Sequence, residues 1–417
     1  INDWVPLETQ VDETNNRLVA QVDHLTTFDY KANSWQAADL PTVDTFQVSG
    51  FTGAGTYSVN FWTPPAQGGF QPALTLSYNS QSIDQSTAYQ QASWVGMGWS
   101  LDTGYIERNM HGTNNDTSDD TFQINVNGVS GLLLPIGISG TITTYDTENR
   151  SFNKIQFDSS TSIWTVWDKA GTQYVFGHEA KIDRYDGCAG PSSELNTTWR
   201  WSLTEATDKY GNTITYGYTV GVKSDDCRDR VAVYPSYISY PNSKYRIVFV
   251  LQTRRDYNSS WSKKSSKILY ETKRLDKILI QHYKDGAWQN IRQYELIYYN
   301  SATNNIYPNF SYTDDIRTRV LTLGGVQVYN GDRSQHLPLT QFYYTDTDNA
   351  DYMHLVKVDN GQGGIVRIKY NRWSYLDTMN DDVRALYTDF GKHECSSLYS
   401  TSWESDAHPE RVFCYYS

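Results

Sequence analysis

The chain is poor in the residues that staple, ligate or cross. Its 417 residues include only four cysteines, Cys188, Cys227, Cys395 and Cys414. None forms a Cys-x-x-Cys pair, which argues against a zinc site. Two disulfides could form from these four, with the neighbouring pairs closing the shortest loops, and spacing alone does not choose among the three connectivities. No apolar run approaches the ~20 residues of a membrane-spanning helix. The longest, "GLLLPIGI" from Gly131 to Ile138, is interrupted by Pro135 and suits a buried strand. Positive charge is scarce: 35 Lys and Arg stand against 47 Asp and Glu, a formal net charge of −12. Such a surface repels nucleic acid and anionic membranes. The basic stretch "RRDYNSSWSKKSSK" from Arg254 to Lys267 reads as a solvated loop. Helical periodicity is nearly missing, and its best trace lies near Leu376–Leu386. The chain opens on Ile1 without a signal peptide and reads as an excerpt of a longer product, so missing targeting signals carry little meaning.

Catalytic signatures are missing as well. Eight histidines form no HExxH or regular pair, and there is neither a GxSxG elbow nor a phosphate-binding GxxxxGKS/T loop. Ser260 and Lys263 fit SxxK by letter only. "NNDTSDD" from Asn114 to Asp120 offers oxygen ligands without EF-hand spacing and reads as an exposed acidic turn. His24, in "RLVAQVDHLTTFDY" from Arg17 to Tyr30, reads as a strand-end residue. No catalytic, metal-binding or cofactor-binding residue is assigned.

What is abundant is tyrosine. The chain holds 33 Tyr, 13 Trp and 14 Phe, and it is rich in Thr, Ser, Asn, Asp and Gly. β-branched and aromatic residues suit strands, and the small polar residues suit tight turns. "GTYSVNFWTPP" (Gly55–Pro65) and "PALTLSYNS" (Pro72–Ser80) alternate apolar with polar residues. "SIWTVWDKAGTQYVFG" (Ser162–Gly177) is a hairpin. "TDKYGNTITYGY" (Thr207–Tyr218) is another: Gly211-Asn212 supplies the positive φ of a tight turn, and Ile214, Tyr216 and Tyr218 share one face. Many short strands with turn signals between them predict an all-β protein, with a sandwich-like N-terminal half and an extended, curved antiparallel sheet from about Arg200.

Several segments resemble one family. "GFQPALTLSYNSQS" (Gly69–Ser82) followed by "WVGMGWSL" (Trp94–Leu101) resembles the signature of SpvB-type proteins and of the B component of insecticidal toxin complexes. Gly96, Gly98, Trp99, Ser100 and Leu101 match its Gly-x-Gly-Trp-Ser-Leu strand. "DKAGTQYVFG" (Asp168–Gly177) resembles the next hairpin. "WRWSLTEATDKYGNTITYGY" (Trp199–Tyr218) resembles the Trp-x-Leu…Asp-x-x-Gly-Asn unit of Rhs/YD-repeat proteins, and "LVKVDNGQGGIVRIKY" (Leu355–Tyr370) the start of their repeat shell. The loop "IDQSTAYQQAS" departs from the short Gly-rich loop expected there.

The resemblance implies a division of the chain. Residues 1–45 would be the end of an upstream β domain or an N-terminal strap, and 46–180 an SpvB-like β domain. Residues 181–375 would be a shell segment, and 376–417 further shell or a C-terminal extension. It implies a secreted or cell-surface, non-catalytic shell whose partner is the remainder of the same polypeptide or a C-terminal cargo, and beyond that other shell or surface proteins. Two further readings stand beside it: an adhesion module binding glycans or a partner through exposed aromatics, and a hydrolase built on a carboxylate pair. The residues expected to matter are structural. Gly96, Gly98 and Trp99 should shape the first sheet, Asp208, Gly211 and Asn212 a hairpin, and Gly361, Gly363 and Gly364 the turn into the shell.

Overall fold

The computed structural model describes residues 9–12, 17–20, 46–48, 54–65, 69–84, 92–111, 118–184, 197–225, 228–241, 244–254, 271–299, 321–345, 353–371 and 411–416. The chain divides into two compact units, Ile1–Leu40 and Pro41–Ser417. In the first, β1 (Thr9–Asp12) and β2 (Arg17–Ala20) pair antiparallel, with Val11 opposite Leu18.

The second unit begins with a small antiparallel sheet. It contains β3 (Gln47–Val48), β4 (Gly55–Phe61), β5 (Leu74–Asn79) and β6 (Trp99–Leu101), with a single helical turn, α1 (Gln81–Asp84), after β5. Alternation in the sequence becomes alternation in burial here. Leu74, Leu76 and Tyr78 are buried, while Thr75 and Ser77 between them are partly open.

Eight strands follow: β7 (Tyr105–Asn109), β8 (Thr121–Val126), β9 (Val129–Ser139), β10 (Ile142–Thr147), β11 (Lys154–Asp158), β12 (Ile163–Trp167), β13 (Gln173–Arg184) and β14 (Thr197–Thr207). Each pairs with the next, and β14 pairs back onto β7, so the eight close into a barrel. An eight-stranded barrel is just wide enough for side chains to fill. Phe122, Tyr145, Phe157, Trp164 and Trp201 do so, with Trp164 4.7–6.0 Å from each of the other four ring centroids.

The barrel does not end at β14. One edge of that strand is shared: Arg200–Ser202 pair with β7, and Glu205–Thr207 pair with β15 (Thr213–Asp225). At the fork, the Leu203 amide donates to the Gly104 carbonyl at 3.0 Å. From β15 a long antiparallel sheet runs through β16 (Arg228–Ser239), β17 (Tyr245–Thr253), β18 (Lys273–Lys284) and β19 (Ala287–Tyr298). It continues through β20 (Leu323–Asn330), β21 (Thr340–Tyr344), β22 (Leu355–Asp359) and β23 (Ile365–Asn371), with β24 (Arg411–Tyr416) added parallel to β23. The all-β class and a long curved sheet are borne out.

Arg200 holds the fork. Its guanidinium lies 3.7 Å from the Tyr105 ring centroid and 3.4 Å from both Asp102 and Glu107. Arg200→Ala would remove the cation and leave two carboxylates facing each other. We expect a loss of about 1–2 kcal/mol in stability, which Lys restores only in part because it lacks the planar fork. A thermal melt in which the Ala variant matches the parent would overturn this role.

Three local readings are corrected. The apolar run at Gly131–Ile138 is a strand, but only its first half is covered: Leu133 is buried, whereas Ile136 and Ile138 are 66% and 77% exposed. Arg254 is buried rather than solvated, because it reaches carbonyls of a loop far away in sequence. Asp120 is no exposed acidic residue either: its side chain is 4% exposed, 3.5 Å from Arg108. The remainder of the basic stretch, the Ser260–Lys263 pair, His24, the stretch near Leu376–Leu386 and Cys188, Cys227 and Cys395 lie outside the described residues, as does the side chain of Cys414.

Candidate functional site

The long sheet and the small sheet share one hydrophobic core. Their seam is the best-built feature of the molecule, and residues 92–101 are its centre. This segment was expected to be a strand through both glycines. Only Trp99–Leu101 is strand; Gly96 and Gly98 precede it in a tightly turned segment at φ of +119° and +78°. The Ser93 hydroxyl accepts from the Val95 amide and lies 2.6 Å from the Trp99 carbonyl, which folds the segment on itself. The segment is then pinned on two sides. The Leu275 amide of β18 donates to the Trp94 carbonyl at 3.0 Å, and the Met97 amide donates to the Leu321 carbonyl at 2.8 Å. Arg254 closes a third side by donating to the Ala92 and Ser93 carbonyls, each at 2.9 Å.

The glycines are explained by what lies against them. A Cβ on Gly98 would stand 2.6 Å from the Tyr78 ring, and one on Gly96 3.1 Å from the Leu323 amide nitrogen. Trp99 fills the space beyond. Its ring is 4.6 Å from Phe342 and 5.4 Å from Tyr78, and its indole N–H donates to the Tyr344 hydroxyl at 2.7 Å. Tyr344 passes the bond on to the Leu323 carbonyl. Two tyrosines pack their rings on one sheet while their hydroxyls tie a backbone group of the other. Tyr78 accepts from the Leu355 amide at 3.0 Å, and Tyr294 accepts from the Trp62 amide at 2.9 Å. His354, buried, meets Asp84 of α1 at 2.9 Å. Burial, followed by the charge of Glu271, pushes the Tyr234 phenol well above its usual range.

The other structural residues sit in turns outside the seam. Asp208 Oδ1 accepts from the Tyr210 and Asn212 amides at 2.8 and 2.9 Å, and Oδ2 accepts from the Asn212 side-chain amide at 2.7 Å. Gly211 has φ +84°, but Asn212 does not take the positive φ expected of it. The same turn recurs twice. Asp168 Oδ1 accepts from Ala170 and Thr172, and Asn360 Oδ1 from Gln362 and Gly364, with Gly361 and Gly363 at positive φ. Slight burial raises the Asp208 carboxyl, but the hydrogen bonds from Asn212, Tyr210 and Gly211 outweigh it and hold the group below its usual value. A depressed carboxylate contributes stability above its unfolded pKa and loses it as pH falls through the folded one. Asp208→Ala should therefore melt lower than the parent at neutral pH, and the gap should close in the acidic carboxylate range. Equal melting at pH 7 would sink the idea.

Of the expected residues, Gly96, Gly98 and Trp99 come together in the seam, while the Asp208 and Gly361 turns lie apart from it. Arg254, Tyr78 and Tyr344 were missed as seam residues. The tyrosines were visible only as strand residues, and Arg254 carried no signal beyond its basic neighbours. The seam holds aromatic rings and hydrogen bonds, and among its described residues no nucleophile is set against a base. Among the described residues no cluster of His, Cys, Asp and Glu could hold a metal.

Residues 49–134 match the family model described as Salmonella virulence plasmid 65kDa B protein, SpvB. They form an SpvB-type segment. It covers the small sheet, the seam loop and the first strands of the barrel, so the sequence resemblance is borne out there. No curated protein is significantly similar in sequence. A crystal structure of TcdB2-TccC3 matches with a TM-score of 0.52 at 15% identity, over 77% of this chain and 18% of that one. A Photorhabdus luminescens Tc holotoxin pore, carrying the TccC3 mutation D651A, matches with a TM-score of 0.50 at 15% identity, over 76% of this chain and 17% of that one. The N-terminal domain of the effector SpvB from Salmonella typhimurium strain LT2 matches over 65% of this chain and 99% of that domain, at 18% identity and a TM-score of 0.42. The fold is thus similar to that of part of the TcdB2-TccC3 and Tc holotoxin chains, and this chain spans less than a fifth of each.

Proposed function

We propose that the chain is a non-catalytic structural segment of a secreted or cell-surface shell of the Rhs/YD type, which encloses or presents a C-terminal polypeptide. The observation that carries this reading is the seam. The SpvB-type segment is fastened to one face of a long antiparallel sheet by buried aromatics, and those aromatics are spent on packing rather than on presenting a surface. Trp94, Trp99, Tyr78 and Tyr234 of this seam are all buried, as Trp164 and Trp201 are inside the barrel. The partner is then the remainder of the polypeptide or a cargo. Residues 46–180 and 181–375 are assigned as SpvB-like and shell segments, 1–45 as an N-terminal strap or the end of an upstream β domain, and 376–417 as the start of further shell or a C-terminal extension.

No helix among the described residues is long and apolar enough to cross a membrane. The adhesion reading calls for a cluster of exposed rings. Among the described residues the large exposed aromatics, Phe152, Tyr210, Tyr237 and Tyr283, belong to separate turns and strands, and Tyr237 lies across Gly217 of the neighbouring strand. The test is an intact mass of the native secreted product with sequencing of its C-terminus. A longer chain, or a co-purifying C-terminal fragment of the same reading frame, supports the shell. A mature product that ends near Ser417 with nothing attached overturns it.

A further inference from the structure

The half-covered strand β9 has a second property. It runs to Ser139, but its pairing with β8 ends at Phe122 opposite Leu133. From Leu134 onward only β10 pairs with it among the described residues. The hairpin turn between Ser139 and Ile142 has two residues, so those two form the hydrogen-bonded pair and Ile138 directs its amide and carbonyl away from β10. Leu134, Ile136 and Ile138 are 44%, 66% and 77% exposed on this edge. Among the described residues, a Cβ built on Gly131, Gly137 or Gly140 meets no atom within 4 Å. No residue from Thr121 to Tyr145 is charged, in a chain of net charge −12.

An open edge with alternate apolar side chains is a template for an added strand. The missing charge narrows the choice of partner. Nucleic acid and anionic lipid would each need cations here, and an interfacial lipid site would carry flanking Lys or Arg. A second copy pairing through the same edge would offer six residues a side, against the ~20–30 of a stable interface. We propose that Leu134–Ser139 docks an extended, uncharged strand of the larger shell polypeptide, which completes the sheet beyond β8. This rests on the shell reading, and the matched TcdB2-TccC3 chain, of which only 18% is covered, has the extra chain that such a shell would supply.

The test is hydrogen–deuterium exchange of the peptide covering residues 134–139, in the 417-residue chain and in the native secreted product. The expected result is exchange at least tenfold slower in the native product. That difference should disappear in an Ile136→Asp/Ile138→Asp product, while the same substitutions leave the melting of the 417-residue chain unchanged. Equal exchange in the two forms, with further chain present by mass, overturns this proposal and leaves the shell reading standing. A native product with no further chain overturns both. Concentration-dependent dimerisation abolished by the double substitution assigns the edge to a second copy, and that too overturns the proposal.

Discussion

Trp99→Ala should lower the stability of the second unit by about 3–5 kcal/mol, the usual cost of emptying a buried tryptophan site. At the ~2 cal/mol/K of unfolding entropy per residue, a unit of this size shifts by about 1 °C per kcal/mol, so the melting temperature should fall by roughly 5 °C. The size follows from position. Trp99 is 2% exposed, touches Tyr57 and Tyr78 of the small sheet, and reaches Phe342 of the long sheet, so the cavity would open between the two sheets and neither alone could close it. Trp99→Phe keeps much of the ring and removes the indole donor to Tyr344, for about 1 kcal/mol. Intrinsic fluorescence melts of the parent and both variants decide the matter: an Ala variant that melts with the parent would mean that Trp99 does not bind the sheets together.

Gly98→Ala should cost nearly as much, for a different reason. At φ +78° an alanine is strained by about 1–2 kcal/mol. Its Cβ would also stand 2.6 Å from Tyr78 and 3.0 Å from Ile83. Tyr78 has no room to yield, since its ring is 1% exposed and its hydroxyl is fixed by the Leu355 amide. We expect a total loss of about 3 kcal/mol, adding the strain and the overpacking. Gly128→Ala is the control. It has φ +80° with nothing within 4 Å, so it carries the backbone strain without the clash. If the two variants melt alike, the contact with Tyr78 plays no part.

Much of this protein could be read along the chain. Period-2 alternation in Leu74–Tyr78 and Ile214–Tyr218 gave strands and faces, because a strand sends successive side chains to opposite sides whatever it packs against. The Asp-x-x-Gly turn was legible because its hydrogen bonds close within five residues. The SpvB-type motif was legible for the same local reason: Gly-x-Gly-Trp is a short pattern. Contacts between distant residues were not legible. Whether the eight strands from Tyr105 to Thr207 face one another as two sheets or close into a barrel depends on Arg200–Ser202 finding Tyr105–Glu107, and no local pattern encodes that pairing. Arg254 looks like any basic loop residue until the Ala92 and Ser93 carbonyls arrive from 162 and 161 positions away. The apolar run at Gly131–Ile138 could signal only that its residues avoid water. Whether its second half is buried depends on the pairing with β8 reaching no further than Phe122. The sequence by itself determined the strands, the turns and the all-β class, which follow from steric rules acting over a few residues. The tertiary structure alone decided the closed barrel, the fork at β14, the three-sided grip on residues 92–98 and the exposed edge of β9, because each depends on which distant backbone group is near enough to pair.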